Sequence, residues 1–239
     1  MRRTRLISFS GIDGAGKTAQ IRRLCARLEQ AGYSFRLVSF WVDVACFARL
    51  REAAGHAAFG GDRGEGSPAA PIKKRDKNVQ SWVMTCIRLF IYFADAVALR
   101  RLIKKVHSSG VDVCIFDRFI YDELANLPLQ LPFMRAFARA MIGLAAKPDI
   151  SYLLDADPVQ ACARKPEYPL EFLCANRRAF LALSDLTGRF NVIAAMPMCD
   201  VEHEVLRLAV KCLALEPNQN SAPERVLRVR SEDGWAGRS

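Results

Sequence analysis

Eight residues constrain the fold more than any others: Gly11-Ile12-Asp13-Gly14-Ala15-Gly16-Lys17-Thr18 fits G-x-x-x-x-G-K-[ST]. The motif has mechanical content only between a strand and a helix, and both are legible. Arg5 to Ser10 (RLISFS) is a short apolar run, and Lys17 to Ala31 carries apolar residues at Ile21, Leu24, Cys25 and Leu28, which is helical spacing. In that setting glycines let successive backbone N–H groups curl around phosphate oxygens, and the helix N-terminus adds partial positive charge. Lys17 then reaches the outer phosphates and the Thr18 hydroxyl can ligate Mg²⁺. A plain strand-to-helix turn would require neither lysine nor threonine. The candidate phosphate-binding residues are Gly11, Asp13, Gly14, Ala15, Gly16, Lys17 and Thr18. The guanine-reading N-K-x-D is missing, as is D-x-x-G at switch spacing, and a later strand ends in Asp117-Arg118, which points to a kinase rather than a switch.

The rest of the chain keeps alternating. Gly32 closes the first helix, and Phe35 to Trp41 (FRLVSFW) reads as the second strand. Five glycines and two prolines lie between Gly55 and Pro71 with few apolar anchors, so 55–75 is expected to be a mobile insertion. Helical periodicity returns over 78–106 and stops at His107-Ser-Ser-Gly110, before a third strand over Val111 to Phe116 (VDVCIF). A helix over 132–146, a strand over Ile150 to Leu154 (ISYLL), a helix over 170–188, a short strand over 191–194 and a helix over 202–213 follow. Strands alternating with helices predict an α/β fold of three layers, a parallel sheet with helices on both faces. A single domain is expected over 1–215. The segment 216–239 holds four acids and four arginines among polar residues and reads as a flexible C-terminal tail.

Composition excludes several classes. At 51% hydrophobic and 25% charged, the chain can bury a sizeable core. The most apolar stretch, 82–106, is interrupted by Arg88, Asp95, Arg100, Arg101, Lys104 and Lys105, so no membrane span is expected, and the N-terminus lacks the apolar run of a signal peptide. Eight cysteines show no C-x-x-C and three histidines no H-E-x-x-H. The thiols are read as free and buried in a reducing cytoplasm, and any metal should arrive with a phosphate ligand. The net charge of +10 is scattered, which suits small anionic substrates, and with no RNP, zinc-finger or aromatic-basic pattern no specific nucleic-acid partner is expected.

FSGIDGAGKT, FIYFADAVALRRLIKKVHSSGVDVCIFDR, KPDISYLLDADP and RFNVIAAMPMCDVEHEV together resemble the thymidylate kinase family of nucleoside monophosphate kinases, over most of residues 5–213. The resemblance implies a P-loop kinase fold with a five-stranded parallel sheet, ATP and Mg²⁺ as cofactors, and a nucleoside monophosphate as partner. It also implies that Asp117, with Thr18, organises the metal and that Arg118 clamps the acceptor phosphate. Arg164-Lys165-Pro166-Glu167-Tyr168 resembles the lid of these kinases, here about 160–175. Because Gly14 stands where some members carry an arginine, the resemblance assigns the catalytic arginine to Arg164, with Arg177 and Arg178 as further basic candidates. The catalytic set is then Lys17, Asp117, Arg118 and Arg164. An acid at the place of Asp13 touches the acceptor in the family; taken alone, Asp13 could face a sugar hydroxyl, face a cation or cap the following helix. Family members often dimerise through the long middle helix, and the wide apolar face over 82–98 suits either a homodimer or burial within one subunit.

Three departures bear on the acceptor. The family's Arg-Glu-Pro-Gly-Gly segment is replaced by Val42-Asp-Val-Ala-Cys-Phe-Ala-Arg49. The arginine that follows the alanine-aspartate pair is replaced by Ala96, leaving Arg88 or Arg100 to approach the base. Phe119-Ile-Tyr121-Asp122-Glu123-Leu stands in for Ser-rich, Ala-Tyr-Gln text. The expected reaction is ATP-dependent phosphoryl transfer to a nucleoside monophosphate, dTMP + ATP to dTDP + ADP first. The alternatives are the same machinery on a different small acceptor, and a non-catalytic ATP-binding protein, which Arg118 and Arg164 turned away from the loop would favour.

Overall fold

The computed structural model describes residues 3–45 and 82–214. Five strands form one all-parallel sheet: β1 (Arg5–Ser10), β2 (Phe35–Ser39), β3 (Val113–Asp117), β4 (Ile150–Leu154) and β5 (Phe190–Ile193), in the order β2-β3-β1-β4-β5. The apolar text of β1 and β3 is nearly continuous because these strands are covered on both faces. Alternate residues serve two different cores. Leu6, Val38, Cys114 and Phe116 face one, and Ile7, Phe9, Val113 and Ile115 face the other.

The eight helical pieces among the described residues, one of them a π-type turn, are too many to hold by propensity alone, and burial of one stripe on each is what holds them. α1 (Lys17–Gln30) and α7 (Met198–Ala214) cover the face built on Ile7 and Phe9. α2 (Trp82–His107), α3 (Ile120–Leu124) and α4 (Pro132–Ala145) cover the opposite face. α5 (Pro158–Arg164) and α6 (Leu170–Thr187) close a third, smaller core around Ile12 and Leu153. In the sheet Phe9 and Ser39 both stand in register with Asp117, and Ser10 with Leu153. The carboxyl ends of β1, β2, β3 and β4 are therefore brought level, which is where parallel α/β sheets bind ligands.

Several sequence boundaries move for local reasons. β2 was expected to reach Trp41 but ends at Ser39, because the Asp43 carboxylate accepts the Ser39 N–H at 2.7 Å and Ala45 N–H bonds to the Phe40 carbonyl at 2.8 Å. Those bonds wind Phe40–Val44 into a single turn of π-type helix. α7 starts at Met198 rather than near 202, since Asp200 and Val201 N–H both bond to the Pro197 carbonyl. α3 and α5, at 5 and 7 residues, are too short to declare a period and were not anticipated. The insertion expected over 55–75 and the tail over 216–239 lie outside the described residues.

Two further expectations are refined. Seven described cysteines are free, but only Cys114 and Cys212 are buried, and Cys86 and Cys199 sit on solvent-facing helix positions. Burial pushes the Cys114 thiol up to about 12, so it is inert packing. α2 buries Tyr92, Ala96, Leu99 and Ile103 in its own subunit and yet leaves Ile87, Phe90 and Phe93 exposed. Among the described residues no helix is long and apolar enough to cross a membrane.

Candidate active site

The glycine loop leaves β1 and enters α1 through residues that most side chains would prevent. Gly16 takes φ +86° as the residue before α1, a left-handed conformation that glycine adopts freely. Gly14 takes φ +81°, and a Cβ there would lie 2.3 Å from the Ala161 carbonyl oxygen of α5. No side chain caps α1 and no acid lies in its first turn, so its N-terminal N–H groups face the loop uncompensated. Asp13 thus does not cap the helix, one of the three possibilities for it. It pairs instead with a cation, the guanidinium of Arg118.

Lys17 folds back under this loop and is buried, its Nζ donating to the Gly11 carbonyl at 2.7 Å and the Ile12 carbonyl at 2.9 Å. Burial first, and then repulsion from Arg118, lowers its pKa to about 8 against the pull of Asp122, Asp13 and Asp117. Arg118 holds an uncommon φ of +68°, and its N–H bonds to the Phe9 carbonyl at 3.0 Å, which turns the chain out of the sheet and points the side chain at Asp13. Burial works against the charge on Arg118, but Asp122 and Asp13 outweigh it and hold its pKa above the ordinary value. Burial likewise pushes Asp13 up, and Arg118, Lys17 and Lys165 together outweigh that and hold its carboxyl low.

Lys17, Asp13, Arg118 and Asp117 are therefore one electrostatic group at the ends of β1 and β3. Thr18 follows on the exposed start of α1 and makes no contact with that group that the structure records. Arg164 lies on α5, exposed, its Nε donating to the Gln160 carbonyl at 3.2 Å. It stands on a helix at a cleft wall rather than on a loop crossing the phosphate site, and Lys165, the next residue, is the cation whose charge reaches Asp13.

Two clefts open on either side of the loop. The larger, about 450 Å³, is lined by Ala15, Gly16, Gln20, Asp155, Gln160 and Arg164 and by the turn 193–198 after β5. The other is narrow and polar, with Asp13, Arg118, Asp122, Asn126, Tyr168 and Asn176 among its walls. Tyr168 and Phe172 stack there at 4.8 Å between ring centroids.

Sequence reasoning missed several of these residues. Asp122 is buried; its Oδ2 accepts from Ser10 Oγ at 2.7 Å and Phe119 N–H at 3.2 Å, and burial raises its pKa despite Arg118 and Lys17. An acid among Phe119, Ile120, Tyr121 and Leu124 was its only signal. Arg177, weighed as a loose candidate, forms a two-point pair with Asp155 at 2.5 and 2.7 Å at the end of β4. Ala96 is fully buried in the core between α2 and the sheet, so position 96 faces neither cleft. Arg100, offered as a substitute, donates to the Leu144 carbonyl on α4 instead.

The donor set fits Mg²⁺ carried on a polyphosphate. Thr18 and Asp117 offer one hydroxyl and one carboxylate, hard oxygen donors, and among the described residues no cluster of three or more His, Cys, Asp or Glu could hold an ion unaided. Mg²⁺ is commonly bound by one or two protein oxygens together with substrate phosphates and water.

No family model matches the chain. It is 26% identical over 223 residues to a probable thymidylate kinase of Archaeoglobus fulgidus, covering 90% of this chain and all of that protein. It is 28% identical to a thymidylate kinase of Xanthomonas oryzae pv. oryzae over 98% of this chain and 95% of the relative. A thymidylate kinase of Dinoroseobacter shibae is 29% identical over 75% of this chain and 83% of its own length.

Proposed function

We propose that the chain is a divergent, thymidylate-kinase-like nucleotide kinase that transfers the γ-phosphoryl group of ATP to a nucleoside monophosphate, dTMP first. The observation that carries this reading is the pair of clefts meeting at one cationic loop, since phosphoryl transfer needs a donor and an acceptor held in line with charge between them.

In this reading the 450 Å³ cleft takes the nucleoside of ATP, a volume within the range of small-molecule sites. The uncapped start of α1 and the glycine loop hold the polyphosphate. Lys17 leaves the Gly11 and Ile12 carbonyls for the outer phosphates, whose charge favours its protonated form. Arg118, aimed by Asp13, takes the acceptor phosphate, and Arg164 and Lys165 approach from α5 and the turn after it. Fixed cations at these places neutralise the equatorial oxygens of the moving phosphoryl group, and that stabilisation is the larger part of catalysis for this reaction. Thr18 and Asp117 would hold Mg²⁺, which when bound neutralises further charge on the phosphates. The acceptor's base lies against Tyr168 and Phe172 within reach of the Asn126 and Asn176 amides. No cation from position 96 joins them, which favours a base contact made by amides. The free thiols accord with a cytoplasmic setting.

The test is steady-state conversion of ATP and dTMP to ADP and dTDP, followed by chromatography, in the wild type and Lys17→Met. Transfer is expected in the wild type and should fall at least about 100-fold in the variant, as for loss of one preorganised charge. Background-level dTDP, unaltered by the substitution, defeats the dTMP reading. A better rate with another monophosphate in the same assay selects the second reading, the same machinery on a different acceptor.

A further inference from the structure

The narrow cleft holds more negative charge than an acceptor phosphate needs. Asp13 and Asp122 both line it, with Arg118 the one described cation on its walls, and the guanidinium already pairs with Asp13. Asp122 is thus a second carboxylate in a site meant for an anion. A carboxylate set against a phosphate repels it, so Asp122 belongs opposite an uncharged part of the acceptor.

Its own bonding says which kind of group it awaits. Both internal hydrogen bonds, from Ser10 Oγ at 2.7 Å and Phe119 N–H at 3.2 Å, end on Oδ2. They fix the carboxylate through one oxygen. Oδ1 is buried and has no hydrogen-bond partner among the described residues. In its ionised form, which Arg118 and Lys17 favour and burial opposes, the carboxylate only accepts, so the missing partner is a donor. Asn126 points the same way. Its Nδ2 is held by the Asp122 backbone carbonyl at 2.9 Å, which leaves the amide oxygen as a further acceptor on the same wall. Buried acceptors left open beside a cleft are the arrangement that discriminates between ligands with and without a matching O–H or N–H.

On the phosphoryl-transfer reading above, we propose that Asp122 is a specificity-determining residue whose Oδ1 accepts a hydrogen bond from an O–H or N–H donor on the sugar or base of the acceptor nucleotide. Sugar hydroxyl and ring N–H share this chemistry, and acceptor analogues separate them.

The experiment measures steady-state transfer from saturating Mg²⁺-ATP by the wild type, Asp122→Asn and Ser10→Ala. The acceptor is whichever of dTMP, dUMP, UMP and CMP the wild type uses best, together with its sugar-deoxy and ring-N-methylated analogues. Asp122→Asn preserves the bonds from Ser10 and Phe119 through its amide oxygen and presents an NH₂ where the acceptor's donor must lie. Its kcat/KM for the parent acceptor should fall at least about 100-fold, as when a site built for an O–H or N–H loses its match, with KM for ATP unchanged. The wild type should lose a similar factor on one of the two analogues, and Asp122→Asn should lose nothing further on that analogue. Ser10→Ala, which frees the carboxylate to turn, should cost about fivefold, the worth of one ordinary hydrogen bond.

Equal kcat/KM for Asp122→Asn and the wild type on the parent acceptor overturns the inference, and so does a wild type indifferent to both analogues. An equal loss across every acceptor overturns it too, since that is what a merely structural carboxylate would give. If Asp122→Asn does not fold, the wild-type analogue series and Ser10→Ala decide the matter. A wild type that phosphorylates no acceptor overturns the transfer reading as well, whereas an active wild type with an indifferent Asp122→Asn overturns this inference alone.

Discussion

Lys17 supplies a test in which the sign and size follow from burial. In the unfolded chain its ammonium keeps the ordinary pKa of 10.5, and in the folded protein burial and Arg118 bring it to about 8. Between those values the unfolded state binds the proton and the folded state does not, so stability rises with pH through the window from about 8 to 10.5. At about 1.4 kcal/mol per pH unit of separation, the whole window is worth about 3 kcal/mol. Lys17→Met removes the titrating group and leaves the Gly11 and Ile12 carbonyls short of a donor, a penalty that does not depend on pH. The difference in unfolding free energy between wild type and Lys17→Met should therefore move in favour of the wild type by about 3 kcal/mol from roughly pH 7 to pH 10.5. Urea unfolding followed by far-UV circular dichroism, both proteins in the same buffers, measures it, because groups that Lys17 does not act on titrate equally in both and cancel. A difference that stays flat, or slopes the other way, refutes the claim that Lys17 is held in an environment hostile to its charge.

The same property has a functional face. A polyphosphate in the loop gives Lys17 the countercharge it lacks, so binding above about pH 8 should take up a proton. Affinity for ATP should weaken by up to about tenfold per pH unit through that range. Calorimetry of ATP binding in buffers of different ionisation enthalpy should count close to one proton taken up at about pH 9 in the wild type and none in Lys17→Met.

Other parts of the structure give separate tests. Arg177 is 39% exposed in its pair with Asp155, a residue of the larger cleft. Such a pair is worth up to about 1 kcal/mol, so Arg177→Gln should raise KM for ATP roughly fivefold and leave KM for the acceptor unchanged. Ile87, Phe90 and Phe93 form an apolar face on α2 that the described residues leave exposed. Sedimentation velocity at micromolar concentration should give a homodimer for the wild type and a monomer for Phe90→Glu; a monomeric wild type removes the dimer.

Most of the architecture was legible because parallel sheets write themselves plainly. Strands buried on both faces are short apolar runs, and the helices between them keep a 3.6-residue stripe, so β1, β4 and α1 fall within a residue of where periodicity puts them. The loop motif was legible for a similar reason, since φ near +80° and a close backbone approach can be met only by glycine. Other features rest on single side-chain bonds, some local and some between residues remote in sequence. The π-type turn after β2 is made by one Asp43 carboxylate, and α5 is fixed by the Asp157 side chain accepting from Val159 and Gln160 N–H, bonds that leave no periodic trace. The pairing of Asp13 with Arg118 spans 105 residues, and that of Ser10 with Asp122 spans 112. Residue type suggested that Asp13 and Arg118 mattered, but not that they answer one another. Asp122 was visible in the sequence as an acid in a largely apolar stretch that departs from a family's serine-rich text, and which of its two oxygens is satisfied could be read only from the structure.

The glycine at position 14 and the arginine on α5 are linked by sterics rather than by choice of residue alone. The loop presses against α5 so closely that a Cβ at Gly14 would lie 2.3 Å from the Ala161 carbonyl oxygen. A side chain at 14 would have to push α5 away, and α5 carries Arg164 one turn beyond Ala161. A side chain growing from the loop at 14 and α5 in its present place are thus mutually exclusive in this backbone. Gly14→Ala should suffer twice, from its left-handed φ at about 1–2 kcal/mol and from the contact with Ala161. Gly16→Ala meets nothing within 4 Å and should suffer from φ alone. Thermal unfolding of the two variants should therefore rank Gly14→Ala well below Gly16→Ala, and ATP affinity should follow the same order because displacing α5 opens the wall of the larger cleft. Equal losses would mean that α5 yields without cost, and the coupling between loop and helix would have to be abandoned.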